Sequence, residues 1–281
     1  MTKQLWRQRC VGMLLCATGV SVGAYGMSDD DCISQIEDDV VYEQRAMIRA
    51  VRTGDADAVD ELLLQGVDAN TFDGDEPAIM VALRRGYWHV ARRLFENCPT
   101  GSGIDPNLAE ATERGTRPLH TATVCAEHEE HLDVVRQLMT AQTVNSADGD
   151  GLAPLHYAAS RNDELGARIA ELLLKKGAQF NVRDRGQRTP LIVAAELGNM
   201  PLVRCLINFS TMRGHHDLFA IDAGGYTARA IACQNGHTKV ANLLHAAEER
   251  ARGHRPDRSR AKRLRPAGTG VQITLDGWVK R

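Results

Sequence analysis

The chain has 281 residues, of which 43% are hydrophobic and 25% charged, the composition of a folded soluble protein. With 25 Gly, 9 Pro and 5% aromatics it is not collagen-like, a coiled coil, a low-complexity chain or a multipass membrane protein. The net charge of −2 is unevenly spread: residues 28–249 carry 21 basic and 34 acidic groups, residues 250–281 ten basic and two acidic.

Residues 1–26 have the features of a secretory signal. Lys3, Arg7 and Arg9 give a positive start, Cys10 to Met27 is free of charge, and Val11, Met13, Leu14, Leu15, Val20 and Val22 supply a short apolar core. Ala24-Tyr25-Gly26 then places small residues at the positions a signal peptidase reads. Two fates stand: cleavage after Ala24 or Gly26, or retention as an inner-membrane anchor, although a stretch of about 18 residues rich in Gly, Ser and Thr is marginal for a span. Either fate puts the body outside the cytosol, in the periplasm or secreted.

Downstream, one phrase recurs. Gly115-Thr116-Arg117-Pro118-Leu119-His120-Thr121-Ala122 returns as Gly151-Leu152-Ala153-Pro154-Leu155-His156-Tyr157-Ala158-Ala159, then as Gln187-Arg188-Thr189-Pro190-Leu191-Ile192-Val193-Ala194-Ala195. Gly225-Tyr226-Thr227-Ala228-Arg229-Ala230-Ile231-Ala232 is a weaker copy. Pro118, Pro154 and Pro190 are 36 apart. Each phrase precedes an apolar helix, as in Leu172-Leu173-Leu174, which is followed by Gly177. Proline suits the first turn of a helix, where no backbone N–H is required. Alanine lets two helices approach closely. Gly66 and Gly177 suit the left-handed position that ends a helix, and Asp-Gly suits a tight hairpin.

These Pro-Leu-His-x-Ala-Ala and Leu-Leu-Leu-x-x-Gly-x-x-x-Asn stretches resemble the ankyrin repeat. Two upstream copies fit: Leu62-Leu63-Leu64-Gln65-Gly66-Val67-Asp68-Ala69-Asn70, and the one opened by Asp73-Gly74-Asp75-Glu76-Pro77. The resemblance implies an all-α repeat solenoid of about six stacked helix-turn-helix units with β-hairpin-like turns. A capping segment at 27–42 leads into repeats at 43–73, 74–110, 113–147, 148–183, 184–221 and 222–248, followed by a basic tail at 249–281. With its signal, the chain resembles bacterial periplasmic ankyrin-repeat proteins. Extra residues at Pro99–Asn107, Ala126–His131, Asn162–Glu164 and Phe209–Asp217 break the period, and such insertions map to surface loops.

In the tail, Arg250, Arg252, Arg255, Arg258, Arg260, Lys262, Arg263 and Arg265 form a basic run, and Val271–Leu275 alternates like a strand. It is read either as a solvated arm folding back on the acidic body or as an arm that grips an anionic surface. Nucleic acid is not an expected partner of an exported chain.

The sequence contains no phosphate loop. His128-Glu129-Glu130-His131 has the wrong histidine spacing for a zinc protease; a metal held by Cys125, His128 and His131, or by His215-His216-Asp217, is the weaker alternative to a solvated polar loop. The chain is therefore expected to be neither an enzyme nor a holder of cofactor or metal. The resemblance implies a structural role for His120 and His156, bonding neighbouring turns. It also implies a binding surface on the turn tips and first helices. Carried over repeat by repeat, that surface comprises Arg84 and Arg85; Asp150, Leu152, Ser160 and Arg161; Arg185, Arg188, Glu196 and Leu197; and Tyr226, Gln234 and Asn235. Arg and Tyr are the types that make interface hot spots. Cys205 and Cys233 fall on helices that this repeat would pack together, so either a disulfide or two small buried thiols fits.

The expected function is a protein–protein interaction scaffold in the cell envelope with an unidentified protein partner. The alternatives are a secreted effector acting on a host protein and a metal-binding accessory protein.

Overall fold

A computed structural model describes residues 29–96, 104–108, 114–212 and 217–253. The signal, most of the basic tail, the loop around Pro99 and the pair His215-His216 lie outside them. Two units divide the chain, residues 1–154 with 175–177, and residues 155–174 with 178–281.

The first unit opens with helix α1 (Asp29–Thr53), followed by α2 (Ala56–Leu64), a hairpin of β1 (Phe72–Asp73) and β2 (Glu76–Pro77), α3 (Ala78–Arg84) and α4 (Trp88–Glu96). Then come α5 (Pro118–Cys125), one 3-10 turn (Glu129–His131) and α6 (Leu132–Leu138). Two rows form. Helix α3 packs between α1 and α5, and α4 packs between α2 and α6, while each first helix also packs on its own second helix. Met47, Ile79, Leu83, Leu94, Leu119 and Leu138 fill the layer between the rows.

The second unit repeats the plan with α7 (Pro154–Ser160), α8 (Glu164–Lys175), α9 (Pro190–Glu196), α10 (Met200–Met212), a 3-10 turn (Asp217–Phe219), α11 (Ala228–Gln234) and α12 (Thr238–Gly253). First helices α9 and α11 pack together, as do second helices α10 and α12. Ala158, Ala159, Ala194, Ala195 and Ala232 are wholly buried, because only a methyl fits where the helices approach so closely.

Local chemistry sets the boundaries. Pro118, Pro154 and Pro190 each begin a helix. Thr189 and Thr227 cap theirs, accepting from the amides of Ile192 and Ala230. Arg117, at the same place, makes no side-chain cap; instead His120 Nδ1 reaches back to accept the Arg117 N–H at 3.1 Å. Gly66 and Gly177 are left-handed, at φ of 92° and 96°, so that the amides just beyond them return to carbonyls five residues earlier.

One insertion differs from the sequence-based expectation. Phe209 to Met212 continue α10 rather than forming a loop, and the Phe209 ring sits edge-on to Phe180 with centroids 6.1 Å apart. An extra helical turn that brings two aromatic rings into edge-to-face contact is more favourable than an open loop. Cys205 is half-buried and Cys233 exposed, and the two are not joined in this structure.

Candidate protein-binding surface

The turn before each first helix is built around one aspartate. Asp148 Oδ1 accepts from the amides of Asp150 (2.9 Å) and Leu152 (2.8 Å), and Asp184 Oδ1 accepts from Arg188 N (2.8 Å). Asp222 Oδ1 accepts from Gly224 N (2.9 Å) and Tyr226 N (2.8 Å). In all three turns the aspartate amide donates to the carbonyl four residues on. A carboxylate accepting backbone amides is a strong, directional clamp. These aspartates were not singled out in the sequence, although their spacing of 36 and 38 residues follows the repeat.

Adjacent turns are stitched together. Gly149 N donates to Arg114 O in the first unit, and Ala223 N donates to Gly186 O (3.0 Å) in the second. Arg183 Nη1 donates both to Gln187 O (2.9 Å) and to Ile221 O (2.7 Å), fixing one guanidinium across two turns. Histidines add a second ladder. His120 Nε2 bonds Ser146 O and His156 Nε2 bonds Arg188 O, each at 3.0 Å, the structural role the resemblance implied.

The far ends of the first helices are joined as well. Asn235 Nδ2 and His237 Nε2 donate to Glu196 O at 2.9 and 3.0 Å. Arg188 connects turn to helix end: it pairs with Asp184 at 2.8 Å and with Glu196 at 3.1 Å. Partial burial works against its charge, but the bond to Asp184 and the attraction of both carboxylates outweigh this and raise its pKa. The eight-residue reach from Arg188 to Glu196 runs along one side of α9, so turn tip and helix end share a face.

On that face the fifth and sixth repeats place Arg185, Leu197, Tyr226, Gln234 and Asn235 in solvent, with Arg188 and Glu196 half-buried. Leu197 is 43% exposed and Tyr226 46%, and Ile221, which the sequence did not suggest, is 48% exposed. Large apolar side chains held in water at turns and helix ends are the material of an interface.

The other residues named from sequence are placed differently. Arg84 pairs with Glu76 at 3.1 Å, and Arg85 donates to Arg52 O at 3.3 Å. Asp150 and Leu152 are half-buried in their turn, and Ser160 Oγ is turned back to Tyr157 O. The Arg161 side chain is only 13% exposed and closes on Asp163, whose carboxyl it holds below the usual carboxylate range. Arg161 thus pins the loop between α7 and α8.

The polar insertion Ala126–His131 is likewise committed to structure. The His131 ring stacks on Trp88 (centroids 4.2 Å, planes 8° apart), and its Nδ1 accepts the amides of Glu127 (3.1 Å) and His128 (3.3 Å). Among the described residues, no three His, Cys, Asp or Glu side chains gather as a metal set.

These histidines make folding acid-sensitive. Burial lowers the pKa of His120; burial and then His128 lower that of His131, against the pull of Glu127 and Glu130. Each Nδ1 is an acceptor, so the folded state holds the neutral ring. Their contribution is complete above the ordinary value of 6.5 and is lost as pH falls from there through the depressed folded values. The urea midpoint is therefore expected to drop between about pH 7.5 and pH 5, and to drop less in His131→Phe. Equal drops would mean that His131 carries none of the effect.

Helix pairs in matched rows, joined by stitched turns and offering an exposed face, define a repeat protein. The family model for ankyrin repeats matches residues 47–148, 102–184 and 155–253, and the chain belongs to that family. It is 31% identical to NF-kappa-B inhibitor alpha of Sus scrofa over 144 residues, covering 50% of this chain and 45% of that protein. It is 34% identical to ankyrin repeat domain-containing protein 63 of Homo sapiens over 137 residues, 46% of this chain and 34% of that one. A putative ankyrin repeat protein, L271, of Acanthamoeba polyphaga mimivirus is 30% identical over 106 residues, 37% of this chain and 13% of that protein. The chain spans less than half the length of each of these relatives. Family and relatives support a protein–protein interaction role.

Proposed function

We propose that this chain is a non-enzymatic scaffold that binds a protein partner outside the cytosol, through the turn tips and first-helix ends of its repeats. The observation that carries this reading is the face of the fifth and sixth repeats, where Leu197, Ile221 and Tyr226 stand in water on a framework locked by the Asp184 and Asp222 clamps. A surface already rigid loses little conformational entropy on binding, so more of the contact energy appears as affinity. The location rests on residues 1–26 alone, with their basic start, apolar middle and small-residue site.

Crosslinking in the native cell, followed by purification of the full chain, is expected to recover a defined partner. Loss of that partner on Leu197→Asp with Tyr226→Asp, while the circular dichroism spectrum is retained, would tie it to this face. Failure to recover any specific partner contradicts the scaffold reading. Fractionation into periplasm, inner membrane and medium, with N-terminal sequencing, tests the location. A chain found in the cytosol with Met1 intact defeats that part of the proposal, and release into the medium favours an effector.

A further inference from the structure

In the first unit positive charge is scarce and concentrated. Residues 29–154 carry 25 acidic and 10 basic groups, and five of the ten, Arg45, Arg49, Arg52, Arg84 and Arg85, lie on α1 or at the end of α3. The second helices use their arginines internally: Arg92 pairs with Glu96, Arg93 with Asp60 and Arg136 with Asp133. On α1 the pattern is different. Tyr42, Arg45, Arg49 and Arg52 follow a three-four-three spacing, which brings them within about 80° of one another around a helix. All four are exposed, Tyr42 at 73%, and the wholly buried Met47 and Val51 mark the opposite side of the helix. Glu43 falls off this stripe, about 160° around from Arg45.

The stripe is tied to the next repeat. Arg52 forks onto Asp73 of β1 at 2.6 and 2.7 Å, and Arg85 Nη1 donates to Arg52 O at 3.3 Å. Arg52 is thereby neutralised by Asp73, as Arg84 is by Glu76. The Arg45 and Arg49 side chains pair with no described residue, and the bond Arg85 makes is to a neutral carbonyl, so three guanidiniums keep their charge. Asp75, in the hairpin turn, leaves that balance positive.

From this stripe we infer that α1 and the end of α3 form a second protein-binding face, which takes an extended acidic segment. Arg45, Arg49 and Arg85 meet its carboxylates, and Tyr42 receives an apolar side chain. Arg45 and Arg49 are one helical turn apart, about 6 Å, close to the separation of alternate residues in an extended chain. Carboxylates on every second residue therefore match them, and the guanidinium fork suits carboxylate geometry. An aromatic ring beside paired charges supplies a contact that charge alone does not. The occupant is a short segment rather than nucleic acid or a charged membrane, because the excess of carboxylates elsewhere in the unit repels a long polyanion.

The test is photolysis of the full chain with a benzophenone amino acid in place of Tyr42, the probe being a labelled peptide of alternating Glu and Ser that ends in Leu. Labelling at position 42 is expected, suppressed by the unlabelled peptide and not by its counterpart with Lys for Glu. Reading the label at this one position keeps the basic tail out of the result. Arg45→Glu with Arg49→Glu should lower the labelling about tenfold or more at an unchanged circular dichroism spectrum, and Arg45→Lys with Arg49→Lys less. Arg136→Glu, on α6, should leave it as it is. No labelling, or labelling that the charge reversal leaves unchanged, overturns the inference. Suppression by duplex DNA or phosphatidylglycerol vesicles as effective as that by the acidic peptide also overturns it, and assigns the stripe to a polyanion. None of these outcomes touches the fifth and sixth repeats, whose role is read by capture of the native partner.

Discussion

Replacing Gly198 by alanine should destabilise the second unit by about 3 kcal/mol. Gly198 sits at φ 71°, and an added Cβ would lie 2.5 Å from His237 Nδ1 and 2.8–2.9 Å from two ring carbons. The ring has little freedom to retreat, because Nε2 is bonded to Glu196 O at 3.0 Å and the His237 amide to Ala232 O at 2.8 Å. The left-handed backbone costs an L-residue about 1–2 kcal/mol, and the displaced ring forfeits a bond worth about 1 kcal/mol net. For a chain of this size that is a fall in Tm of about 6–12 °C by thermal melting.

Gly177→Ala separates the two causes. Its φ of 96° is at least as demanding, yet nothing lies within 4 Å of the added methyl, so only the backbone cost of about 1–2 kcal/mol remains. The double variant Gly198→Ala with His237→Ala removes the clash, and its loss should fall short of the sum of the single losses. If Gly198→Ala melts no lower than Gly177→Ala, or the double variant is fully additive, the His237 contact carries no energy.

The same contrast shows what the sequence could reveal. Each requirement of the repeat that one residue meets by itself was legible: proline at the first helical turn, glycine at φ near 90°, alanine where helices nearly touch. The His120 and His156 bonds were legible only through the family resemblance. Requirements shared between distant residues were not. The stack of His131 on Trp88 joins positions 43 residues apart, and nothing in either segment announces it. Arg161 reads as one more exposed arginine until Asp163 is seen to draw it inward. The aspartate clamps lie between these cases. Asp148, Asp184 and Asp222 recur with the repeat and could have been found, but an aspartate near a turn is too common to stand out without its amide partners.

The face of the fifth and sixth repeats was legible as a region and not in detail. Position in the repeat named Leu197, Tyr226 and Arg185, and the structure holds all three in solvent. Position alone overlooked Ile221 and Arg183, whose roles depend on how neighbouring turns join. A binding face made from several repeats depends on the register between them, and that register is set by buried polar links rather than by the apolar pattern.

Asn199 is the strongest of those links, and its replacement should show the largest single loss. It is fully buried, its Nδ2 donates to Ala159 O (3.3 Å) and to Arg161 O, and its Oδ1 accepts Leu202 N (3.1 Å), capping α10. Asn199→Leu leaves three buried polar groups without this partner, a loss of about 3–5 kcal/mol. Asn199→Asp is more telling, because it keeps the shape and the cap while turning a carboxylate oxygen toward two carbonyls. Burial and that repulsion raise the folded-state pKa above the ordinary carboxylate value. A raised carboxyl pKa contributes stability below the unfolded pKa that is lost as pH rises through the folded one. The variant should therefore recover toward the parent on acidification to about pH 4, against the histidine effect that weakens the parent in the same direction. Urea titrations of the two chains across that range are expected to converge at low pH and diverge at neutral pH. Parallel curves would mean that Asn199 is not held between those carbonyls, and that the register of the fifth repeat is fixed by packing alone.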